Sequence, residues 1–287
     1  MPAAVRSALD DYPVPSPAAA RAPDNLDEDA KRRLASLGYV SAGAAPIVRK
    51  DAPRPADMTA VMSVIEKASG LFVDGHYAEA IPLFEHVLAA DPHNVDAALS
   101  LASAHSALGQ NAQAIEMFQR AAAIAPDSQD VRTYLGLHYV RTREWDRAAP
   151  LLEQVVAASP DRVTAVQALA TVRAEQGKAA MEAGRTPDAT AAFEAARTLQ
   201  PAAFAHDLDL GVLYMDARRF DEARQALDRV PASSADYPMA LFKRAEVSVL
   251  LHETDAAARI DAARAHADRT TRPLIARDRL FQSLQRR

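Results

Sequence analysis

Apolar and small residues along this chain recur with a 34-residue period. Counting units from residues 61, 95 and 129, position 8 is small (Ala68, Ala102, Gly136) and position 20 is alanine (Ala80, Ala114, Ala148). Position 24 is bulky and apolar (Phe84, Phe118, Leu152), and position 27 carries Val87, Ala121 and Val155. Each unit closes on a proline at position 32: Pro92, Pro126, Pro160. Positions 20, 24 and 27 lie four and three apart, the spacing of one helix face. Proline has no N–H to give a helix interior, so position 32 marks where that helix has ended. Position 15 is Gly75 and Gly109, then Arg143, and aromatic residues recur at position 17 as Tyr77, Trp145 and Phe220. The pattern predicts two helices per unit, joined at a turn near position 15. Small residues at positions 8 and 20 let the two helices approach, and the bulk at 24 fills the gap between them.

The register continues past Pro160 with one break. The next matching proline, Pro201, comes seven residues late. Read backwards from it, Gly177, Gly184, Ala189, Phe193 and Ala196 fall into place. The additional residues near 162–169 hold neither glycine nor proline. Seven residues are close to two helical turns, so they lengthen a helix without much turning its apolar face. A long first helix over roughly 163–183 follows. A fifth unit from about 204 carries Leu210, Gly211, Tyr214, Ala223 and Leu227, and a weaker sixth carries Ala245 and Ala257. Thr186-Pro187-Asp188 reads as a helix start with Thr186 as the cap. Pro82 and Pro150 sit about one turn into second helices and predict local distortion.

This period and these positions resemble the tetratricopeptide repeat, a helix–turn–helix unit. The resemblance implies an all-α fold, a right-handed solenoid in which each unit buries its apolar face against its neighbours. The expected units are 61–94, 95–128, 129–162, 163–203, 204–236 and 237–270, within an array over 57–271. A C-terminal capping helix is expected over 272–287.

Residues 1–56 differ. The stretches 12–23 and 41–57 are rich in proline and alanine and read as linkers. Between them, Asn25 and Glu28 have capping-box spacing and Gly38 is a natural stop, so a short helix is expected near 25–37. The run Leu26-Asp-Glu-Asp-Ala-Lys-Arg-Arg-Leu-Ala-Ser-Leu-Gly-Tyr-Val40, followed by a linker and a repeat array, resembles the C-terminal region of bacterial sulfatase–tetratricopeptide fusions. That resemblance implies an upstream sulfatase-like domain of the alkaline phosphatase superfamily, and a periplasmic or exported parent. The nucleophile motif of that domain, Cys or Ser followed by x-Pro-x-Arg, does not occur in this sequence.

Composition narrows the function. Half of the residues are hydrophobic (49%) and a quarter charged (25%), which is globular composition. The net charge of −5 with interspersed signs does not suit a nucleic-acid partner. There is no cysteine, so disulfides and thiolate metal sites are excluded. No apolar run has the length of a membrane span, and the first residues lack the apolar core of a signal peptide. The eight histidines do not cluster, and no zinc-protease, nucleophile-elbow or phosphate-loop motif occurs. No cofactor, metal or catalytic residue is expected, and the chain is not read as an enzyme.

Function then rests on the first helices. In tetratricopeptide repeats positions 2, 5, 9, 12 and 13 face the concave groove. The resemblance places Ile65, Ser69 and Phe72 there in the first unit, Leu99, Ser103 and Ser106 in the second, and Thr133, Leu137, Val140 and Arg141 in the third. Chaperone-binding members clamp a carboxylate with Lys, Asn and Arg, but here Ile65, Ser69 and Ser100 stand in those places. The expected partner is a peptide or helix with apolar side chains, unless the chain's own N-terminal segment covers the groove. Asp209 and Asp216, seven apart with Asp207 nearby, form either a solvated acidic strip or a contact for a basic partner.

Overall fold

The computed structural model describes residues 59–284, and among these the chain is helical with no strand. The N-terminal arm, with the expected helix at 25–37 and the run Leu26–Val40, lies outside the described residues. Along the chain run α1 (Thr59–Val73), α2 (Tyr77–Ala90), α3 (Val95–Ala107), α4 (Asn111–Ile124), α5 (Gln129–Arg141), α6 (Trp145–Ala158) and α7 (Val163–Glu182). Then come α8 (Thr186–Leu199), α9 (Asp207–Asp216), α10 (Phe220–Leu227), α11 (Tyr237–Leu250), α12 (Ala256–Ala265), α13 (Thr271–Arg277) and α14 (Arg279–Leu284). The first helix after Pro160, α7, has 20 residues where α3 and α5 have 13 each. The seven additional residues extend it as continuous helix.

The chain divides into two compact units between Ala104 and His105, inside α3. In the first unit α1 packs on α2. Ala68 and Ala80 are fully buried where the helices approach, and Phe72 meets Tyr77 and Phe84 edge-on at 5.2 and 6.2 Å between ring centres. In the second unit α5–α6, α7–α8, α9–α10 and α11–α12 form antiparallel hairpins, and α6 packs on α7, α8 on α9 and α10 on α11. No hairpin could bury its apolar face alone, and this stacking buries it.

The sequence signals at positions 8 and 24 are one contact in the second unit. A Cβ placed on Gly136 would lie 2.8 Å from Leu152, one on Gly177 2.8 Å from Phe193, and one on Gly211 2.7 Å from Leu227. Each first helix thus presents bare backbone to the bulk on its second helix. Position 15 has a backbone reason as well. Gly75, Gly109 and Gly184 take positive φ at the turn between paired helices, and Arg143, Arg218 and His252 take the same conformation (φ 57–60°) where glycine is missing. The turn demands this geometry whether or not the residue favours it.

Some local expectations differ from the structure. α2 and α6 run unbroken through Pro82 and Pro150. Each proline lies in the second turn and removes a single i→i−4 bond near the helix start, which the rest of the helix tolerates. Thr186 is the first helical residue of α8 and Arg185 precedes it as the cap, with no side-chain capping bond. The Thr186 carbonyl instead accepts from the Thr190 hydroxyl at 2.9 Å. The single capping helix expected over 272–287 is two short ones. The chain breaks at Asp278 (φ −65°, ψ 123°), and the Asp278 carboxylate accepts from Phe281 N at 3.0 Å to start α14. Both short helices pack on α11, with Phe281 buried edge-on against Phe242.

Candidate functional site

A helix advances 100° per residue, so positions 2, 6, 9 and 13 lie within about 40° of one line, while positions 5 and 12 sit about 60–80° to one side of it. The structure opens the first of these sets. On α5 the line is Asp130, Tyr134, Leu137 and Arg141, with Tyr134 45% exposed at its centre. On α1 it is Met62, Glu66, Ser69 and Val73, the last 80% exposed. On α3 the first unit contributes Asp96, Ser100 and Ser103.

The ten expected groove residues therefore separate. Ser69, Ser103, Leu137 and Arg141 lie on the open line. Ile65, Phe72 and Val140 are half-buried on its flank. Leu99, Ser106 and Thr133 are buried, which corrects their placement in an open groove. The reason is their position: at 5 and 12 they turn toward the interior. Leu99 joins the apolar core, and Thr133 gives its hydroxyl to the carbonyl of Gln129 at 2.7 Å. Ser106 Oγ donates to His138 Nδ1 at 2.9 Å. Glu66 and Tyr134, both exposed, and Ser100, half-buried, are the position-6 residues that the family positions omit. Helical angle arithmetic from position 2 would have found them.

Arg141 is exposed but held. Its Nε donates to Ser106 Oγ at 3.0 Å, and its Nη2 donates to Asn111 Oδ1 at 2.6 Å and lies 3.4 Å from His138 Nδ1. His138 beneath it is almost wholly buried, beside the rings of Phe118 and Tyr139. Burial pushes the His138 imidazole below its ordinary pKa, and Arg141 and Arg147 add to this against the opposing charge of Glu144. The neutral ring accepts at Nδ1, which leaves the proton on Nε2, buried without a hydrogen-bond partner. The cluster fixes Arg141 at the C-terminal end of the open line. In the same way Arg162 Nη1 donates to Asp130 Oδ1 at 2.5 Å and fixes the N-terminal end.

Further along the second unit the line changes character. On α7 it is Thr171, Glu175, Lys178 and Glu182, with Lys178 paired to Glu175 at 2.6 Å. On α9 it is Asp209, Val212 and Asp216. Asp207 leaves the expected acidic strip. It is buried, its carboxyl is pushed up by desolvation despite Arg229, Arg197 and His206, and Oδ1 finds no partner. The line thus has an aromatic and apolar middle between charged ends on α5, is mixed on α7 and is acidic at both ends on α9.

Two open clefts lie elsewhere in the second unit. One, of about 620 Å³, is floored by alanines of α7 and α8 beside Trp145. Its charges are engaged: Arg173 pairs with Glu153, Arg185 with Asp188, and Asp146 accepts from Gln176 Nε2 at 3.2 Å. The other, of about 600 Å³, lies between α11 and the two C-terminal helices. Among the described residues no group of three His, Asp or Glu is placed to hold a metal ion. No helix among them is long and apolar enough to cross a membrane.

Profiles of the tetratricopeptide repeat match residues 71–137, and again 134–180 and 174–238, more than half of the chain in total. Among solved structures, MamA AMB-1 is 31% identical over 57% of this chain and 93% of its own, with a TM-score of 0.44. MamA MSR-1 is 28% identical over 59% and 98%, with a TM-score of 0.43. The Pseudomonas aeruginosa protein pilF is 18% identical over 80% and 99%, with a TM-score of 0.45. No curated protein is similar enough to match.

Proposed function

We propose that this chain, which belongs to the tetratricopeptide repeat family, is a non-catalytic protein–protein interaction scaffold whose first helices receive a peptide or helix along their open line. The observation that carries the reading is on α5. An exposed tyrosine, Tyr134, and a half-buried leucine, Leu137, whose inner side packs on the core, stand between two ends pinned by Arg162–Asp130 and by Arg141–Ser106–Asn111. A fixed rim around a small apolar patch loses little conformational entropy when a partner docks. The acidic line on α9, in the same unit, favours a partner that carries basic residues beyond its apolar anchor.

Leu137→Glu tests this. The side chain is half-buried on the open line, so the charge can reach solvent in the free protein but is desolvated when the partner docks. Capture of the partner is expected to fall at least tenfold with the helical signal unchanged. Leu99→Glu is unsuitable because it places a charge in the core. Equal capture by Leu137→Glu and the natural protein overturns the reading.

The sulfatase-tail reading rests on the run Leu26–Val40. The coding sequence upstream of Met1 tests it: a sulfatase-like domain in frame supports it, and a stop codon in frame overturns it.

A further inference from the structure

The cleft at the C-terminal end of the second unit has an apolar floor and unspent positive charge. α11 supplies one wall with Phe242, Lys243 and Glu246, and the other comes from Leu274 and Arg277 of α13 with Arg279 and Leu280 of α14. Leu274 is 44% exposed, a large apolar side chain turned to solvent beside Pro273.

The charges in the cleft divide into those used and those free. Lys243 Nζ lies 2.9 Å from Glu246 Oε2 and 4.9 Å from the centre of the Phe242 ring, so it is engaged within α11. Glu246 is nine-tenths buried, and its geometry toward Lys243 is that of an ion pair without an aligned hydrogen bond. Desolvation first, and then the facing Asp278 carboxylate, raise its pKa against the pull of Lys243. Asp278 is used at Oδ1 to cap α14. Arg277 and Arg279, on either side of Asp278, are exposed and make no ion pair among the described residues. A surface that has buried Glu246, engaged Asp278 in a helix cap and left two guanidinium groups beside an exposed leucine is complementary to carboxylates flanking an apolar side chain. Guanidinium is the cation best suited to grip such carboxylates in pairs.

We propose that this cleft is a second protein-binding surface, separate from the first-helix line, which takes an acidic peptide segment with a leucine-sized apolar anchor. The anchor packs on Leu274 and Leu280, and flanking carboxylates meet Arg277 and Arg279. A polyphosphate ligand is disfavoured, since it has no apolar group to place on the leucine floor of the cleft.

The probe is a fluorescein-labelled hexapeptide of glutamate pairs separated by leucines, titrated into the full chain at low salt and read by polarisation. Saturable binding is expected, weakened at least tenfold by the double variant Arg277→Glu/Arg279→Glu and at least fivefold by Leu274→Ser. These residues are exposed, so the thermal midpoint of each variant should match the natural protein and confirm folding. Leu137→Glu should leave this binding unchanged, which separates it from the first-helix reading. The proposal is overturned if the probe does not bind at millimolar concentration, if the lysine counterpart binds equally, if a serine-for-leucine probe binds equally, or if a single-stranded oligonucleotide binds more tightly than the peptide.

Discussion

A glycine facing a phenylalanine makes a sign-reversing test of how the hairpins pack. A Cβ on Gly177 would lie 2.8, 2.9 and 3.0 Å from three atoms of the Phe193 ring. The ring has no exposed surface into which it can swing, and it is backed by His206 at 5.2 Å and Phe204 at 6.3 Å between centres. Gly177→Ala should therefore cost about 1–3 kcal/mol in overpacking, offset by about 1 kcal/mol of helix propensity, for a net loss of about 1 kcal/mol. Phe193→Ala should cost about 3–5 kcal/mol. On the side facing α7 the neighbours Gly177 and Ala180 have no side chains long enough to fill the cavity. Once the ring is gone the clash is gone, so Gly177→Ala in the Phe193→Ala background should stabilise by about 1 kcal/mol. The assay is urea unfolding followed by circular dichroism at 222 nm for the four proteins of the cycle. A coupling of about 2 kcal/mol is expected. Additive effects, or stabilisation by Gly177→Ala in both backgrounds, would refute the packing argument.

His138 binds a proton less readily in the folded than in the unfolded chain, so the unfolded chain holds more protons below pH 6.5 and stability should decline as pH falls from there through the folded pKa; a thermal midpoint that drops as much between pH 7 and 5 in His138→Gln as in the natural protein would contradict this. Glu253 is the second case. Burial alone would raise its pKa, but hydrogen bonds from Arg244, Ser248 and Arg224 outweigh it and bring it to about 2. Its stabilisation is complete above pH 4.5 and lost as pH falls toward 2. Glu253→Gln should cost about 2 kcal/mol at neutral pH, because it removes one of the two carboxylates paired with the buried Arg244, and little near pH 2.5; urea midpoints at the two pH values measure it. Arg143 holds φ 60° at a turn where the first two hairpins use glycine. Arg143→Gly should stabilise by up to about 1 kcal/mol in the same urea assay.

Much of the fold was legible because its main contact repeats. A small residue at position 8, alanine at 20 and bulk at 24 recur wherever two helices must approach, so the period exposes them, and even the long α7 follows from the late Pro201. The polar anchoring was not legible. Arg244 is buried with its charge shared among Asp228, Ser248 and Glu253, on residues from α11 and the two turns beside it. No period marks such a network, because it occurs once. Ser106, His138 and Arg141 likewise meet across about one repeat length without a motif. The candidate site was legible to the level of which helices and not which face. Family positions pointed to Leu99 and Thr133, while the helical angle in this chain turns the half-buried Ser100 and the exposed Tyr134 outward instead. Asp278, in a run otherwise suited to one helix, ended α13 by capping α14, a choice made by packing on α11.

The claim that the open line of α5 receives a protein partner is tested most directly by photo-crosslinking. Benzoylphenylalanine placed at Tyr134 reports contacts on that line, and the same group at Gln154, exposed on the second helix α6, reports the rest of the unit. Irradiation in extract of the native host should give a discrete adduct from position 134, none from 154, and loss of the adduct when Leu137→Glu is added. Adducts of equal yield from both positions, or an adduct from 134 that survives Leu137→Glu, would contradict the account.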